Sequence, residues 1–83
     1  MRLPRDLSGR DLAKALGRLG YQISRQTGSH IRLTTYRKGE HHITIPDHSS
    51  MRVGTLGAII GDIARHHGVA REELTRTLFG SRT

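Results

Sequence analysis

The 83-residue chain contains no cysteine and no tryptophan, one phenylalanine and two prolines. Without cysteine there is no disulfide, no zinc finger, no iron–sulfur cluster and no thiol nucleophile. Hydrophobic residues make up only 34% of the chain and aromatics 4%. A chain this short buries roughly 60% of the surface its unfolded form exposes, so its core must be thin and a multi-domain enzyme with a large cofactor pocket is excluded. No apolar run approaches the ~18 residues of a membrane span. The opening segment MRLPRDLSGR lacks the apolar stretch of a signal peptide, and a soluble cytoplasmic protein is expected. Acidic residues are also scarce: seven Asp and Glu face 14 Lys and Arg, for a net charge of +7 and a sequence pI of about 11.3.

That charge is concentrated in residues 1–55, which hold ten Lys/Arg and four Asp/Glu, against four and three in residues 56–83. Twelve of the cations are Arg, whose planar fork pairs bidentately with phosphate or carboxylate where Lys acts as a point charge. A small domain this basic points to nucleic acid. An acidic protein partner, a membrane surface or a merely solvated exterior would satisfy composition too.

Periodicity divides the chain. Ser8 followed by Asp11 reads as a capping box with Asp in place of Glu, and Leu12, Leu16 and Leu19 recur at helical spacing up to Gly20. This predicts an amphipathic helix over 9–19 whose opposite face shows Arg10, Lys14 and Arg18. The period then becomes two. Tyr21, Ile23 and Arg25 alternate with Gln22, Ser24 and Gln26 in a half-buried strand. Gly28-Ser29 offers a type II′ hairpin turn. The strand His30 to Thr34 returns with Ile31 and Leu33 on one face and His30, Arg32 and Thr34 on the other. Arg37 to Glu40 turns again, and His41 to Ile45 forms a third strand ended by Pro46.

After a polar loop from Asp47 to Val53, Thr55 is expected to cap a helix carrying Leu56, Ile59, Ile60 and Ile63 and stopping near Gly68. Gly57 and Gly61 lower its propensity and would allow close packing if they share a face. Val69 to Leu78 reads as a short last helix with Glu72 and Glu73 in its first turn. The expected fold class is therefore α+β: a three-stranded antiparallel sheet packed on two helices in the order α-β-β-β-α, with a short extra C-terminal helix. One domain is expected over 1–83, with 1–7 as an N-terminal extension and 80–83 as a frayed tail. The sheet's second face is left to water or a ligand.

Six histidines are many for this length. His41 and His42, adjacent in a strand, point to opposite faces and cannot chelate one metal. His66 and His67 read as solvated residues at a helix C-terminus. No pairing with metal-ligand spacing is present. His30 differs: it follows a tight turn, starts a strand, and shares the polar face with Arg32 and Thr34. In RNA the 2′-hydroxyl can serve as nucleophile, so a protein need supply only a proton carrier and positive groups for the developing phosphorane charge. His30 fits the first role, and His48 is a second candidate proton carrier, or else part of a loop organised by Asp47. With only Tyr21, read as core, and Tyr36, at a turn where it can touch one base, a base-stacking platform is not evident.

Several stretches together resemble a known family: Ser8-Gly9-Arg10-Asp11-Leu12 to Leu19-Gly20-Tyr21, Arg25-Gln26-Thr27-Gly28-Ser29-His30, Ile43-Thr44-Ile45-Pro46-Asp47-His48, and Gly54-Thr55-Leu56-Gly57-Ala58-Ile59-Ile60. From about Ser8 to Leu74 the chain is similar to the HicA toxins, the YcfA-like mRNA interferases of bacterial type II toxin–antitoxin modules. The resemblance implies a double-stranded-RNA-binding-domain-like fold and endoribonucleolytic cleavage of mRNA without metal or other cofactor. It also implies neutralisation by a cognate HicB-like antitoxin, the toxin being a monomer when free and part of a hetero-oligomer with the antitoxin. The family's catalytic histidine falls on His30 and its preceding glycine on Gly28. Two departures stand out: Ser49-Ser50 replace the Gly and Lys that usually follow the later histidine, and Arg52-Val53 replace the Lys-Pro before Gly-Thr-Leu.

The combined expectation is that His30 acts as general acid/base. Arg25, Arg32, Lys38 and the Gly28-Ser29 turn would hold the RNA backbone, with Arg10, Lys14 and Arg18 extending the track. The rivals are a non-catalytic double-stranded-RNA-binding module and a basic adaptor for an acidic protein.

Overall fold

The computed structural model describes residues 3, 4 and 6–80; the rest of the 1–7 extension and of the 80–83 tail lies outside the described residues. Helix α1 spans Gly9–Leu16 and is capped as its sequence predicts: Ser8 is extended, and its Oγ accepts the Asp11 N–H at 3.0 Å. Leu12 and Leu16 are fully buried. The helix does not run to residue 19, because Gly17–Leu19 tighten into a 3-10 turn. Gly20, at φ 82°, closes that turn, and the Tyr21 N–H bonds back to the Leu16 carbonyl at 3.2 Å.

Strands β1 (Gln22–Thr27), β2 (His30–Thr35) and β3 (His41–Pro46) form an antiparallel meander in that order. Gly28 takes the positive φ, 53°, that the first position of the tight turn needs, and Thr27 and His30 close the turn as partners. On β2 and β3 the alternation is as expected: Ile31, Leu33, Ile43 and Ile45 are buried against the helices. Strand β1 departs from it. All six of its residues are exposed, Ile23 by 51%: unlike β3, the other edge strand, it buries no side chain under the helices, and only Tyr21, just before it, reaches the core.

A bulge makes the second departure. Ile23 pairs with Leu33 and Arg25 with Arg32, leaving Ser24 unpaired between them. Side chains of opposed residues share a face, so Arg25 lies beside Arg32 on the outer face. Simple alternation along β1 puts it with Tyr21 and Ile23, and the bulge is what moves it.

Helix α2 (Val53–His67) starts two residues before the expected cap. Arg52 is the N-cap and Thr55 caps nothing. The start is set upstream, where the Met51 N–H donates to the Leu7 carbonyl at 2.8 Å and Met51 itself is buried. Gly68, at φ 68°, ends the helix. Helix α3 (Arg71–Phe79) carries Glu72 and Glu73 in its first turn. The paired glycines of α2 do permit close packing: Arg71 Nη2 donates to the Gly57 carbonyl at 3.1 Å, and a Cβ on Gly61 would stand 2.5 Å from Arg71 Nη1. The core is one cluster, from Leu12 and Leu16 through the strand residues to Leu56, Ile60, Ile63, Leu74 and Leu78. Among the described residues no helix is long and apolar enough to cross a membrane.

Candidate functional site

His30 begins β2 at one end of the sheet. Its ring is exposed, and among the described residues it has no hydrogen bond or ion pair. Across β2 and β3 it faces Pro46, and beyond Pro46 the chain is tied to the turn that precedes His30: the Asp47 N–H donates to the Ser29 carbonyl at 2.7 Å. The start of α1 closes the same end. Gly9 N–H donates to the His48 carbonyl at 2.9 Å, and Arg10 pairs with Asp47 at 3.2 Å. A side chain on Gly9 would collide with the Pro46 carbonyl oxygen, which is why a glycine stands there. Three segments thus converge behind His30, and the exposed His48 is carried in the third. Asp47 organises that loop.

Arg32 lies two residues along β2 from His30, roughly 7 Å by strand geometry, and the bulge sets Arg25 opposite Arg32. Both are exposed, and among the described residues neither guanidinium has a hydrogen bond or ion pair. His30, Arg32 and Arg25 are therefore contiguous on one face. The other sequence candidates are dispersed. Lys38 sits in the turn after β2, beyond the roughly 17 Å that the strand runs from His30 to Thr35, with φ 58°. Arg10 and Lys14 lie on α1, which packs on the sheet's opposite face, and Arg18 lies in the 3-10 turn that follows it. Lys14 is exposed, Arg10 is paired with Asp47, and Arg18 donates to the Thr77 and Leu78 carbonyls at 3.1 and 3.0 Å. Arg18 is thereby placed at the end of α3, apart from the histidine.

The outer face holds groups that alternation did not bring together. His42 Nε2 meets Glu40 at 2.6 Å, and its Nδ1 meets the Thr34 hydroxyl at 2.7 Å. Thr34 Oγ1 in turn bonds Ser24 Oγ at 3.0 Å, and Ser24 donates to the Arg32 carbonyl at 3.3 Å. This chain crosses all three strands. Its sequence signal was the i, i+2 spacing of Glu40 and His42, which puts both on one strand face.

At the other side of the sheet the reading of His66 and His67 as solvated end residues is overturned. The β2–β3 turn folds over the end of α2, so the His66 Nε2–H donates to the Arg37 and Gly39 carbonyls at 3.0 and 3.1 Å, and His67 is only 6% exposed. His66 stacks on His41 with ring centroids 4.3 Å apart. Tyr21 bridges His41 Nδ1 at 2.7 Å and His67 Nε2 at 3.1 Å. Asp62, 3.4 Å from His41 Nε2, favours the proton on that nitrogen, so the Tyr21 hydroxyl donates to Nδ1 and accepts from His67. Burial first, then Asp62, pushes the Tyr21 hydroxyl up to about 12. Burial first, then the neighbouring His66 and His41 and the cations Lys38 and Arg37, lowers His67 below the usual imidazole range. Among the described residues no three His, Asp or Glu side chains are placed to hold a metal ion.

The family model described as the HicA toxin of bacterial toxin–antitoxin systems matches residues 9–69. No curated protein and no solved structure matches the chain. The matched span takes in α1, the whole sheet with His30, and α2, well over half of the sequence. The chain belongs to the HicA toxin family, the toxins of bacterial modules in which a cognate antitoxin is the partner.

Proposed function

We propose that this toxin is an endoribonuclease that cleaves mRNA with His30 as its general acid/base. The observation that carries the reading is the placement of His30: exposed, unpartnered, held on a strand end by three converging segments, and followed along the same face by two unpaired arginines. In the reaction the 2′-hydroxyl of the RNA attacks the adjacent phosphorus and His30 accepts its proton. The bond from phosphorus to the 5′-oxygen breaks, leaving a 2′,3′-cyclic phosphate and a 5′-hydroxyl. Arg32 and Arg25 offset the charge that builds on the phosphorane oxygens. His48 is the candidate for protonating the leaving oxygen. The tight Gly28-Ser29 turn keeps the backbone low beside the scissile bond, and Lys38, in the β2–β3 turn, is the cation toward which a longer RNA would continue.

The test is incubation of a structured mRNA with purified protein in EDTA, comparing wild type with His30→Ala. Loss of cleavage by a factor on the order of 10² to 10⁴, with RNA binding and melting temperature retained, supports the reading. Cleavage that survives in His30→Ala removes His30 from the mechanism. RNA bound without cleavage by either protein leaves a non-catalytic binding module, and no RNA interaction at moderate salt leaves an adaptor for an acidic protein.

A further inference from the structure

The outer sheet face has more structure than a cationic track needs. A shallow cavity of about 510 Å³ opens there, lined by Ile23, Arg25, Arg32, Thr34, Tyr36 and His42 among others, within the range of roughly 300–1,000 Å³ usual for small-ligand sites. Tyr36 is 72% exposed, the most exposed large hydrophobic side chain among the described residues. At the cavity's other side stand Arg25 and Arg32, like charges directly opposed across two strands, an arrangement that costs stability until an anion sits between them. The floor is fixed, because His42 is held at both ring nitrogens by Glu40 and Thr34 and Thr34 is held by Ser24.

A ligand that satisfies all of this carries a negative group for the guanidinium pair and a flat apolar face for Tyr36, close enough together to share one cavity. We infer that this face is a binding site for an unpaired nucleotide of single-stranded RNA, its phosphate on Arg25 and Arg32 and its base on Tyr36. In a duplex the base faces are stacked inside the helix, and recognition runs through shape, 2′-hydroxyls and phosphates; an exposed aromatic takes a base only when the base is splayed out. The inference rests on the proposal that the toxin acts on RNA, and it names the strandedness of that RNA. It also sets recognition on the sheet face rather than along α1.

The experiment uses the full chain carrying His30→Ala, so that RNA survives the measurement. Fluorescence anisotropy compares a short unstructured RNA with the same strand annealed to its complement, and with single-stranded DNA of the same sequence. Three further variants are added: Tyr36→Ala, Tyr36→Phe and Lys14→Ala. The unpaired RNA is expected to bind at least about tenfold more tightly than the duplex. Tyr36→Ala should lose about tenfold or more, in the range of one stacked base, while Tyr36→Phe retains binding and the melting temperature stays that of the parent. Tighter binding of the duplex, equal binding by Tyr36→Ala, or a larger loss in Lys14→Ala than in Tyr36→Ala overturns the inference. DNA bound as well as RNA overturns its restriction to RNA. The two readings separate cleanly: RNA bound through Tyr36 but never cut by the wild type sinks only the nuclease proposal, and cleavage unaffected by Tyr36→Ala with unchanged binding sinks only this one.

Discussion

Arg25 and Arg32 stand opposite each other on the outer face of β1 and β2, and among the described residues no carboxylate answers either. Like charges so placed oppose folding by roughly 0.2–1 kcal/mol. Arg25→Ala and Arg32→Ala should each therefore raise the stability of the free protein by about that amount while weakening RNA binding. A thermal melt reads the first effect. A salt titration reads the second, since loss of one phosphate contact flattens the slope of log K against log salt by about 0.7 to 1. A variant that lost stability and kept the full slope would remove its arginine from the phosphate site.

Arg18 was expected on an RNA track but donates to two carbonyls at the end of α3. Such bonds satisfy orphan acceptors at a helix C-terminus, and partial exposure limits their worth to about 1 kcal/mol. Arg18→Ala should lower the melting temperature and leave RNA affinity within about twofold of the wild type. A tenfold loss of affinity without a change in melting temperature would return Arg18 to the interface.

The Tyr21 cluster predicts a stability plateau with two edges. Unfolded, His67 takes a proton at its ordinary value near 6.5, whereas burial makes the folded form resist it. The unfolded state then binds more protons as pH falls below about 7, so stability is lost on acidification. At the alkaline end the folded Tyr21 keeps a proton up to about 12 that the unfolded chain releases near 10, so stability falls again between those values. Melting curves taken across pH should show both edges. His67→Gln should make the acid edge shallower, and Tyr21→Phe should remove the alkaline one at a cost of about 1–3 kcal/mol for the partners left unpaired.

Two glycines should respond in opposite directions to alanine. Gly9→Ala drives a methyl into the Pro46 carbonyl and is expected to cost about 1–3 kcal/mol, with weaker cleavage because the same contact braces the histidine end. Gly54, in the first turn of α2, has nothing within 4 Å of a Cβ, so Gly54→Ala should stabilise by about 0.4–1 kcal/mol through the unfolded chain. Denaturant midpoints measure both.

Much of the fold was legible because its signals are local. Ser8 and Asp11 mark a cap, Gly28-Ser29 a turn, and Ile31 and Leu33 a buried face, each within a few residues of one another. The placement of Arg25 was less accessible, since it depends on one strand's register against another. The turn pairs Thr27 with His30 and hence Arg25 with Arg32, while the apolar Ile23 needs Leu33 for a partner. Both hold only if Ser24 is extruded, and that conflict was readable from pairing though not from alternation along β1. The setting of His66 and His67 is not legible locally, because a helix end reads as solvated until the 37–39 turn folds over it. The burial of Met51 likewise depends on Leu7, far away in sequence.

The clasp behind His30 is made by segments on both sides of it in the chain: Leu7 and Gly9 before it, and Asp47, His48 and Met51 after it. A chain made from its N-terminus has its β1 and β2 residues, cations and histidine included, before the segment that braces them. At roughly 5–20 residues per second, the stretch from His30 to Met51 takes on the order of one to four seconds to synthesise. During that interval His30 and the cations of β1 and β2 have been made, yet the residues that brace the histidine end have not.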